Sequence, residues 1–463
     1  MRIEENPELL FYINALRTEN EKDAEDGKPH RLFVMTFGCQ QNEADSEKIR
    51  GYAESFGYRR AQTPEDADLI LYNTCAIREH AEQKALSLIG RMKHLKEKNP
   101  AILVGVCGCM TAEAHRVEEL RTRYPYVDFT LDPATISRLP EVIYKKKTEK
   151  KRLFFRGEEK PENVEGIPVQ RELRHRAFVS IMYGCNNFCS YCIVPYVRGR
   201  ERSRASADIM AEVKKLVADG CRDITLLGQN VNSYAGDCDF ATLLSRLDGI
   251  PGDYVLRFMT SHPKDVSDDL IRVMADSTHI ERHFHLPVQS GSDAVLRAMN
   301  RHYDRARYLS IVKKLREAMP DIVLTTDIIV GFPGETEEDF SATLSLMDEV
   351  RFDMIYSFIY SPRKGTPAAE RADAVPKDVQ SRRFRELLSA QDNYAASRSA
   401  PYVGKTLRVL CDGPSKERGD IYSGRTSGGK LVHFTSSPDK IGGFVTVKID
   451  RAEPYALYGT VQE

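Results

Sequence analysis

Three closely spaced cysteines are the residues of this sequence best suited to unusual chemistry. Cys185, Cys189 and Cys192 form a C-x3-C-x2-C triplet within YGCNNFCSYC. Three thiolates at this spacing can converge on one soft metal centre, because thiolates select zinc, copper(I) or iron–sulfur clusters over harder ions. A [4Fe–4S] cluster usually takes four cysteines, so a triplet with no fourth cysteine nearby would leave one iron open to a ligand that is not protein. We expect the chemistry to occur at that iron.

Two simpler interpretations of the triplet remain open. Free cysteines are among the most buried residues, so the three thiols can be ordinary core residues. A zinc site is the second alternative. The chain has only ten cysteines in 463 residues, and a random scatter would rarely produce this spacing, so the spacing favours a cluster.

A second set of three cysteines follows a strand–helix alternation nearer the N-terminus. Apolar runs at 31–37, 69–72, 101–106 and 127–131 predict buried strands, and helical patterns occupy 43–56, 79–97 and 112–122. This alternation predicts a small doubly wound α/β domain. Cys39, Cys75 and Cys109 each come within three residues of the end of one of the first three predicted strands. Since ligands bind outside the carboxyl ends of such strands, three loops would bring three thiols to one edge.

A second alternating region surrounds the first cysteine triplet. Short apolar runs at 178–183, 224–227, 254–259, 284–287, 323–330 and 355–360 alternate with helical patterns. Six such units predict a full or partial parallel barrel with its catalytic groups at the carboxyl ends of the strands. The triplet comes just after the first of these strands, at that end.

Length and composition predict a soluble protein of several domains. A chain of 463 residues should hold two to four domains. No apolar run approaches the length of a membrane span, and the N-terminus is too polar for a signal peptide, so we expect a cytoplasmic protein that does not contact membranes. Clustered cysteines in a reducing compartment favour metal binding or catalysis over disulfides. The net charge of −1 is uninformative about nucleic acid.

The predicted domain boundaries follow these patterns. Residues 1–29 form a charged extension with a short helix, 30–145 the α/β domain, 146–176 a charged linker and 177–397 the barrel domain that ends in a connecting helix. In 398–463, short β segments are broken by glycines, which predicts a small all-β barrel. This tail has ten Lys and Arg residues against seven Asp and Glu residues.

Several motifs carry a resemblance to one family. NNFCSYCIVPYVRGRERSR resembles the methylthiotransferases of the radical S-adenosylmethionine (SAM) superfamily, and TFGCQQNEADSE, NTCAIREHAEQK and GCMT resemble the three cysteine segments of their N-terminal domain. The segment GRTSGGKLVHF resembles the TRAM domain, a small RNA-binding β-barrel. The resemblance therefore implies a partial (βα)6 radical-SAM barrel between a doubly wound α/β domain and a TRAM barrel.

The resemblance also implies cofactors and ligands. Two [4Fe–4S] clusters are expected, one on Cys185, Cys189 and Cys192 and an auxiliary one on Cys39, Cys75 and Cys109. We choose Cys109 over Cys107 because the family has a Gly-Cys-Met context, and we expect Cys107 to be a buried neighbour. SAM would bind the open iron and strand-end residues. The candidates are Tyr191, Gly228, Gln229, Gln289, Ser290, Asp327 and Gly331, with Tyr191 packing on the adenine; the glycines can equally be plain turn residues.

The implied reaction is methylthiolation at C2 of N6-isopentenyladenosine, next to the anticodon of a tRNA. SAM would serve as both radical source and methyl donor. The implied partners are the tRNA anticodon loop, an electron donor such as flavodoxin or ferredoxin, and a sulfur source. Arg198, Arg200, Arg202 and Arg204 would grip SAM or the tRNA loop, unless they form surface salt bridges.

Three alternatives remain at this stage. Two are methylthiotransferases that act on threonylcarbamoyladenosine in tRNA or on a ribosomal protein. The third, of a different class, is a non-catalytic RNA-binding protein with structural zinc or iron–sulfur sites. A zinc protein would be colourless and indifferent to SAM.

Overall fold

The computed structural model describes residues 2–77, 79–155, 163–415 and 421–462, and for residues 79 and 80 the backbone only. Residues 156–162, which belong to the predicted linker, lie outside this description. The chain forms two compact units. The first contains Met1–Glu172, Tyr183–Asn186 and Ile193–Arg202, and the second contains Leu173–Met182, Asn187–Cys192 and Ser203–Glu463.

The first unit is built on a six-stranded sheet. Its strands are β1 (Arg31–Thr36), β2 (Arg59–Arg60), β3 (Leu69–Thr74), β4 (Leu103–Gly108), β5 (Phe129–Leu131) and β6 (Leu153–Phe154). The order is β2-β1-β3-β4-β5-β6, and every neighbouring pair is parallel. The predicted doubly wound α/β fold is confirmed.

Helices cover both faces of this sheet. They are α1 (Pro7–Glu25), α2 (Gln40–Ser55), α3 (Glu79–Lys98), α4 (Ala114–Arg123) and α5 (Leu139–Glu149). The short helix α6 (Val194–Arg198) packs instead through Val197 against Ala76 and Cys109. Alternate residues of β3 belong to different cores: Leu69 and Leu71 pack with α1, α2 and α5, whereas Ile70 and Tyr72 pack with α3 and α4. This is the behaviour of a strand buried on both faces, which reads as a continuous apolar run in sequence.

The N-terminal helix differs from the expected short helix and solvated lead-in. Helix α1 has 19 residues and begins after Asn6, whose side chain accepts hydrogen bonds from the first turn. Leu16 is fully buried in the core, and Asn20 Nδ2 donates to the carbonyl oxygen of Phe56 at 2.7 Å. The expectation of a solvated segment was therefore wrong, because a charged helix can still present one apolar stripe to a core.

The second unit contains a six-stranded partial barrel. Its strands are β7 (Arg176–Ser180), β10 (Asp223–Leu227), β11 (Val255–Phe258), β12 (His283–His285), β13 (Val323–Val330) and β14 (Met354–Ile359). The short strands β8 (Met182–Tyr183) and β9 (Arg202–Ser203) form a separate two-stranded sheet that is not part of this barrel. Two parallel sheets, β7-β10-β11 and β12-β13-β14, are joined by an isolated bridge between Leu256 and Ile280. The predicted strand count of the (βα)6 barrel is confirmed.

Helices surround the outside of these strands. They are α7 (Ser206–Ala218), α8 (Phe240–Asp248), α9 (Asp268–Asp276), α10 (Asp293–Ala298), α11 (Arg305–Ala318), α12 (Glu337–Val350) and α13 (Lys377–Ser399). Along β13, Leu324 and Ile328 belong to the core shared with the helices. Because side chains alternate along a strand, Thr325 and Asp327 lie on the opposite, inner face of the sheet.

The C-terminal strands close into a small barrel. They are β15 (Thr406–Pro414), β16 (Ile421–Thr426), β17 (Leu431–Thr435), β18 (Phe444–Ala452) and β19 (Leu457–Gln462), in the order β15-β16-β17-β19-β18. Ion pairs within the second unit tie it to the six-stranded barrel, among them Arg176–Asp412 at 2.6 Å and Lys430–Asp353 at 3.0 Å. Across the described ranges, no helix has the length and apolar character needed to cross a membrane.

Candidate metal and cofactor sites

Three cysteines of the first unit follow adjacent parallel strands. Cys39 comes after β1 and precedes the first residue of α2, Cys75 directly follows β3, and Cys109 directly follows β4. Strands β1, β3 and β4 are neighbours in the sheet, so their carboxyl ends meet at one edge. The topology therefore places the three cysteines at the predicted crevice.

Asn42 connects the loops that carry these cysteines. Its Oδ1 lies 4.0 Å from Cys39 Sγ and 3.9 Å from Cys109 Sγ. Its Nδ2 donates to the carbonyl oxygens of Phe37 and Thr74, each at 2.8 Å. The first of these carbonyls precedes Cys39 by two residues and the second immediately precedes Cys75. One buried amide thus holds two of the loops in place while its oxygen faces two of the sulfurs.

The backbone before Cys109 accepts only glycine. Gly108 has φ of +95°, and a Cβ added there would lie 2.3 Å from the carbonyl oxygen of Thr74 and 2.4 Å from Asn73 Oδ1. The close approach brings the end of β4 directly against the end of β3. Cys109 is held beside the Cys75 loop for this reason.

Arg198 supplies a buried positive charge to this group of thiols. Its Nε donates to Cys109 Sγ at 3.2 Å, and its Nη2 donates to Asn42 Oδ1 at 2.7 Å and to Asp45 Oδ2 at 2.9 Å. Burial raises the pKa of Cys109 to about 12, and the guanidinium of Arg198 opposes that rise. The arginine therefore favours the thiolate, which is the form that binds metal.

This contact was not foreseen from the sequence. The four arginines from Arg198 to Arg204 were expected to grip SAM or tRNA, yet Arg198 lies inside the first unit. Arg204 is also buried and donates to the carbonyl oxygen of Ser180 at 2.6 Å and to Glu212 Oε2 at 2.9 Å. For these two arginines the structure replaces the expected ligand contacts with internal ones.

Cys107 lies on β4 itself, two residues before Cys109. Its side chain packs in the core that contains Phe129 and Leu131, and burial raises its pKa. Cys107 is therefore buried, as expected, and the choice of Cys109 over Cys107 as a cluster ligand stays a prediction.

The C-x3-C-x2-C loop is divided between the two units. Cys185 belongs to the first unit, where its N–H donates to the carbonyl oxygen of Gly199 at 3.1 Å. Cys189 and Cys192 belong to the second, where the N–H of Cys192 donates to the carbonyl oxygen of Cys189 at 2.9 Å. That the three thiols converge on one cluster stays a prediction.

Side chains and backbone after α10 hold the second part of this loop. The N–H of Ser190 donates to the carbonyl oxygen of Met299 at 3.0 Å, and Asn300 Nδ2 donates to that of Phe188 at 2.9 Å. Phe188 has φ of +45°, a left-handed conformation that is uncommon for an aromatic residue. Such strain persists where the surrounding structure imposes it, often at functional loops.

Arg301 contacts this loop in the way that Arg198 contacts the other cysteines. Its Nη1 donates to Cys189 Sγ at 3.4 Å, its Nη2 to the carbonyl oxygen of Pro287 at 2.8 Å, and its Nε to the hydroxyl of Tyr303 at 3.0 Å. Arg301 was not predicted from the sequence, since nothing in its local pattern distinguishes it from a surface arginine.

Three of the predicted SAM-binding residues have features expected of a ligand site. Gln289, after β12, has φ of +70°, which is strained for a residue with a side chain. Gln229 Oε1 is buried and has no hydrogen-bond partner among the described residues. Asp327 lies on the inner face of β13 with its side chain 27% exposed, and its Oδ1 is 3.6 Å from His285 Nε2.

The other predicted SAM-binding residues have local packing roles. A Cβ on Gly228 would lie 2.5 Å from Met182 Cγ, and the N–H of Gly331 donates to the Glu335 carboxylate at 3.1 and 3.2 Å. Ser290 Oγ accepts from the N–H of Ser292 at 3.2 Å. Tyr191 packs against the small apolar cluster that contains Met299 and Phe332.

Two residues on the inner face of the barrel were not singled out in the sequence. His285 is buried, and its Nδ1 lies 3.0 Å from Thr325 Oγ1. The ring of Tyr356 is 38% exposed and meets His285 edge to face at 5.5 Å between ring centroids. The alternation of histidines around Phe284 in β12 was the available signal for His285.

The chemistry of these donors fits iron–sulfur clusters. Across the described residues, no group of three or more Cys, His, Asp or Glu side chains is arranged to hold a metal ion. In the first unit, however, three cysteines follow neighbouring strands, and a buried guanidinium beside Cys109 offsets thiolate charge. Thiolate ligands that accept hydrogen bonds from a positively charged side chain suit a cluster.

Comparisons with known proteins agree with this arrangement. The model of the Radical SAM superfamily matches residues 179–347, that of Uncharacterized protein family UPF0004 matches 31–132, and that of the TRAM domain matches 401–461. A tRNA-2-methylthio-N(6)-dimethylallyladenosine synthase of Clostridium novyi (strain NT) is 48% identical over 435 residues, which cover 93% of this chain and 96% of the relative. The chain belongs to this synthase family.

Two further relatives carry the same name. The enzyme of Clostridium perfringens (strain ATCC 13124) is 46% identical over 95% of this chain and 99% of its own length. That of Caldicellulosiruptor saccharolyticus is 47% identical over 97% of this chain and 96% of its own length. Such coverage includes all three matched domains.

Solved structures share the fold at low identity. The radical SAM methyltransferase TsrM from Kitasatospora setae has a TM-score of 0.55 at 14% identity, covering 74% of this chain and 77% of that chain. The cobalamin-dependent radical SAM enzyme OxsB has a TM-score of 0.50 at 11% identity, covering 78% and 56%. At these identities the likeness concerns the fold alone.

Proposed function

We propose that this chain is a tRNA methylthiotransferase that places a methylthio group on C2 of N6-isopentenyladenosine, next to the anticodon. The observation that carries the proposal is identity of 46–48% to synthases of this name over more than nine tenths of the chain. Because the proposed substrate is a tRNA, we expect the enzyme to act in the cytoplasm. The buried, strand-end cysteines give the proposal a chemical basis.

Two [4Fe–4S] clusters would be bound, one by Cys39, Cys75 and Cys109 and one by Cys185, Cys189 and Cys192. When bound, the cofactors supply a radical that can break an unactivated C–H bond, the sulfur that is inserted and a methyl group from a second SAM. The chain's own residues bind and shield these groups. Because Cys75, Cys109, Cys185 and Cys189 are all buried, water has little access to the sulfurs.

SAM would be held at the carboxyl ends of the barrel strands. Gln229 offers a buried carbonyl oxygen that has no hydrogen-bond partner in the described part of the chain, and Asp327 faces the inside of the barrel. Gln289 is locked by backbone hydrogen bonds, from its N–H to the carbonyl oxygen of Asp327 at 2.8 Å and from the N–H of Ile329 to its own carbonyl oxygen at 3.0 Å. A rigid site of this kind orients a ligand without a further ordering cost.

The C-terminal barrel would contact the tRNA. The guanidinium carbon of Arg451 lies 3.7 Å from the centroid of the Tyr458 ring, and that of Arg408 lies 3.5 Å from the centroid of the Phe444 ring. The Tyr458 ring also stacks on His433, with 5.3 Å between the ring centroids. Aromatic rings beside guanidiniums suit the phosphates and unpaired bases of an RNA loop. An electron donor such as flavodoxin or ferredoxin and a sulfur source complete the proposed partners.

Iron content together with product analysis tests the proposal. The chain reconstituted under anaerobic conditions should contain about eight iron atoms, and the Cys185/Cys189/Cys192→Ala variant about four. A matched control replaces three cysteines that have no proposed role, Cys221, Cys238 and Cys411, by alanine and should keep about eight.

The product experiment incubates the wild-type chain with SAM, a reductant and tRNA that carries N6-isopentenyladenosine, followed by mass spectrometry of the nucleosides. The proposal predicts 2-methylthio-N6-isopentenyladenosine with the wild type and the control but none with the triple variant. Zinc in place of iron, or iron that the triple variant retains in full, would favour the structural-metal protein. A parallel incubation supplies tRNA that carries threonylcarbamoyladenosine instead. Product formed only on that tRNA would show that threonylcarbamoyladenosine is the substrate.

A further inference from the structure

Each set of cysteines is contacted by one buried arginine. Arg198 donates to Cys109 Sγ at 3.2 Å and Arg301 donates to Cys189 Sγ at 3.4 Å. Both arginines are 7% exposed. In each case the hydrogen bond goes to one of the proposed cluster ligands, and each arginine is far in sequence from the cysteine it meets. Each unit therefore contains one buried arginine that donates a hydrogen bond to a cysteine sulfur.

The charge around the two arginines differs. Arg198 forms a buried ion pair with Asp45 at 2.9 Å, so its positive charge is locally compensated. Arg301 is held by the carbonyl oxygen of Pro287 and the hydroxyl of Tyr303, and among the described residues no carboxylate pairs with it. The Cys189 loop thus faces an uncompensated guanidinium, and the Cys109 site faces a neutral pair.

Such contacts alter the electron affinity of a cluster. A reduced cluster carries one more negative charge than an oxidised one. A donor to a ligand sulfur, or a buried positive charge nearby, therefore stabilises the reduced form more than the oxidised form. The effect is large because the groups are buried and screening is weak. A buried carboxylate acts in the opposite direction.

We infer that Arg198 and Arg301 are positioning residues that raise the reduction potentials of the two clusters, each acting on the cluster whose ligand it contacts. The inference rests on the two clusters of the proposed function. Asp45 limits the effect of Arg198, and Arg301 acts without such a limit. Each arginine would make its cluster easier to reduce by a biological electron donor.

The first test isolates the auxiliary cluster in the full-length chain with Cys185, Cys189 and Cys192 changed to alanine. The variants are Arg198→Met, Asp45→Asn and the double variant, each reconstituted under anaerobic conditions. Iron content is measured first, and the midpoint potential follows from a redox titration monitored by electron paramagnetic resonance.

The expected shifts have opposite signs. At a fixed potential, Arg198→Met should lower the ratio of reduced to oxidised cluster at least tenfold. For a one-electron couple, this corresponds to a midpoint potential that is lower by about 59 mV. Asp45→Asn should raise the potential, because it leaves the guanidinium uncompensated. The midpoint potential of the double variant should lie below that of the parent but above that of Arg198→Met, because the double variant leaves no buried carboxylate unpaired. Arg198→Lys keeps the charge and should recover part of the loss.

The second test isolates the other cluster with Cys39, Cys75 and Cys109 changed to alanine. Arg301→Met should lower its potential, whereas Arg198→Met in this background should leave it unchanged. In the chain that lacks Cys185, Cys189 and Cys192, Arg198→Met should lower the potential of the auxiliary cluster and Arg301→Met should leave it unchanged. General damage to the fold would lower the iron content but would not move two potentials selectively or in opposite directions.

The outcomes separate this inference from the proposed function. A parent chain without iron–sulfur clusters would overturn both. Clusters present at full iron content, with potentials that Arg198→Met, Asp45→Asn and Arg301→Met leave unchanged, would overturn the inference alone. If Arg198→Met cannot retain its cluster, Asp45→Asn decides: an upward shift supports the role of Arg198 and an unchanged potential refutes it.

Discussion

Gly108→Ala should remove the auxiliary cluster without unfolding the chain. The native backbone at Gly108 has φ of +95° and ψ of −166°, a conformation that costs a residue with a Cβ about 1–3 kcal/mol. The new Cβ would also lie 2.3 Å from the carbonyl oxygen of Thr74, which is roughly 1 Å inside normal contact. Strain and overlap together cost about 3–5 kcal/mol at the end of β4.

The molecule can relieve this strain by moving the residue next in the chain, which is Cys109. A shift of about 1 Å exceeds the tolerance of metal–ligand distances, so the cluster should lose a ligand. The assay is iron and acid-labile sulfide after anaerobic reconstitution. We expect about eight iron atoms per chain in the wild type and about four in Gly108→Ala.

Gly27→Ala is the matched control. Gly27 also lies in the first unit with positive φ, +78°, but a Cβ there would meet no heavy atom within 4 Å. This variant introduces backbone strain but no steric overlap, so it should keep about eight iron atoms. Equal iron content in Gly108→Ala and Gly27→Ala would refute the proposed dependence of the cluster on the backbone at Gly108.

Two further predictions concern Cys107 and Glu47. Cys107→Ala should keep about eight iron atoms and Cys109→Ala should keep about four, because Cys107 lies within β4 and only Cys109 lies in the turn that follows this strand; the reverse result in iron analysis would exchange their roles. Burial raises the pKa of Glu47 from 4.5 to about 7 despite Arg171 and Arg50. Protonated Glu47 is therefore favoured in the folded state, and its contribution to stability is present below pH 4.5 and lost as the pH rises to 7. Glu47→Gln has no carboxyl group to titrate, so it should not lose this stability as the pH rises. Between pH 5 and pH 8, its free energy of unfolding should increase by about 1–2 kcal/mol relative to that of the wild type, as measured by urea unfolding at the two pH values. A difference between the two proteins that does not change with pH would contradict the role of Glu47.

The proposed ligands were readable in the sequence because they depend on residue type and local spacing. Cys185, Cys189 and Cys192 are seven residues apart from first to last, and no fold is needed to see that they can meet. Cys39, Cys75 and Cys109 required one further step, the rule that parallel strands end at a common edge. The strand pattern supplied that step, and the sheet order β1-β3-β4 agrees with it.

The N-terminal helix shows where local pattern misleads. The first 29 residues are rich in charge, and this favoured a solvated lead-in. Leu16 and Asn20 are nevertheless fully buried. Whether one stripe of a charged helix is covered depends on a neighbour, here α5 and the end of α2, and the segment itself does not encode that neighbour.

What the sequence by itself determined is the set of thiols, the three matched domains and the alternation of strands and helices, all of which follow from short-range patterns. Only the tertiary structure decided which charges face those thiols. Arg198 meets Cys109 across 89 positions in the chain, and Arg301 meets Cys189 across 112. An arginine has the same local pattern whether it faces solvent or a sulfur. Its electrostatic effect depends on burial and on partners such as Asp45, which folding alone brings together.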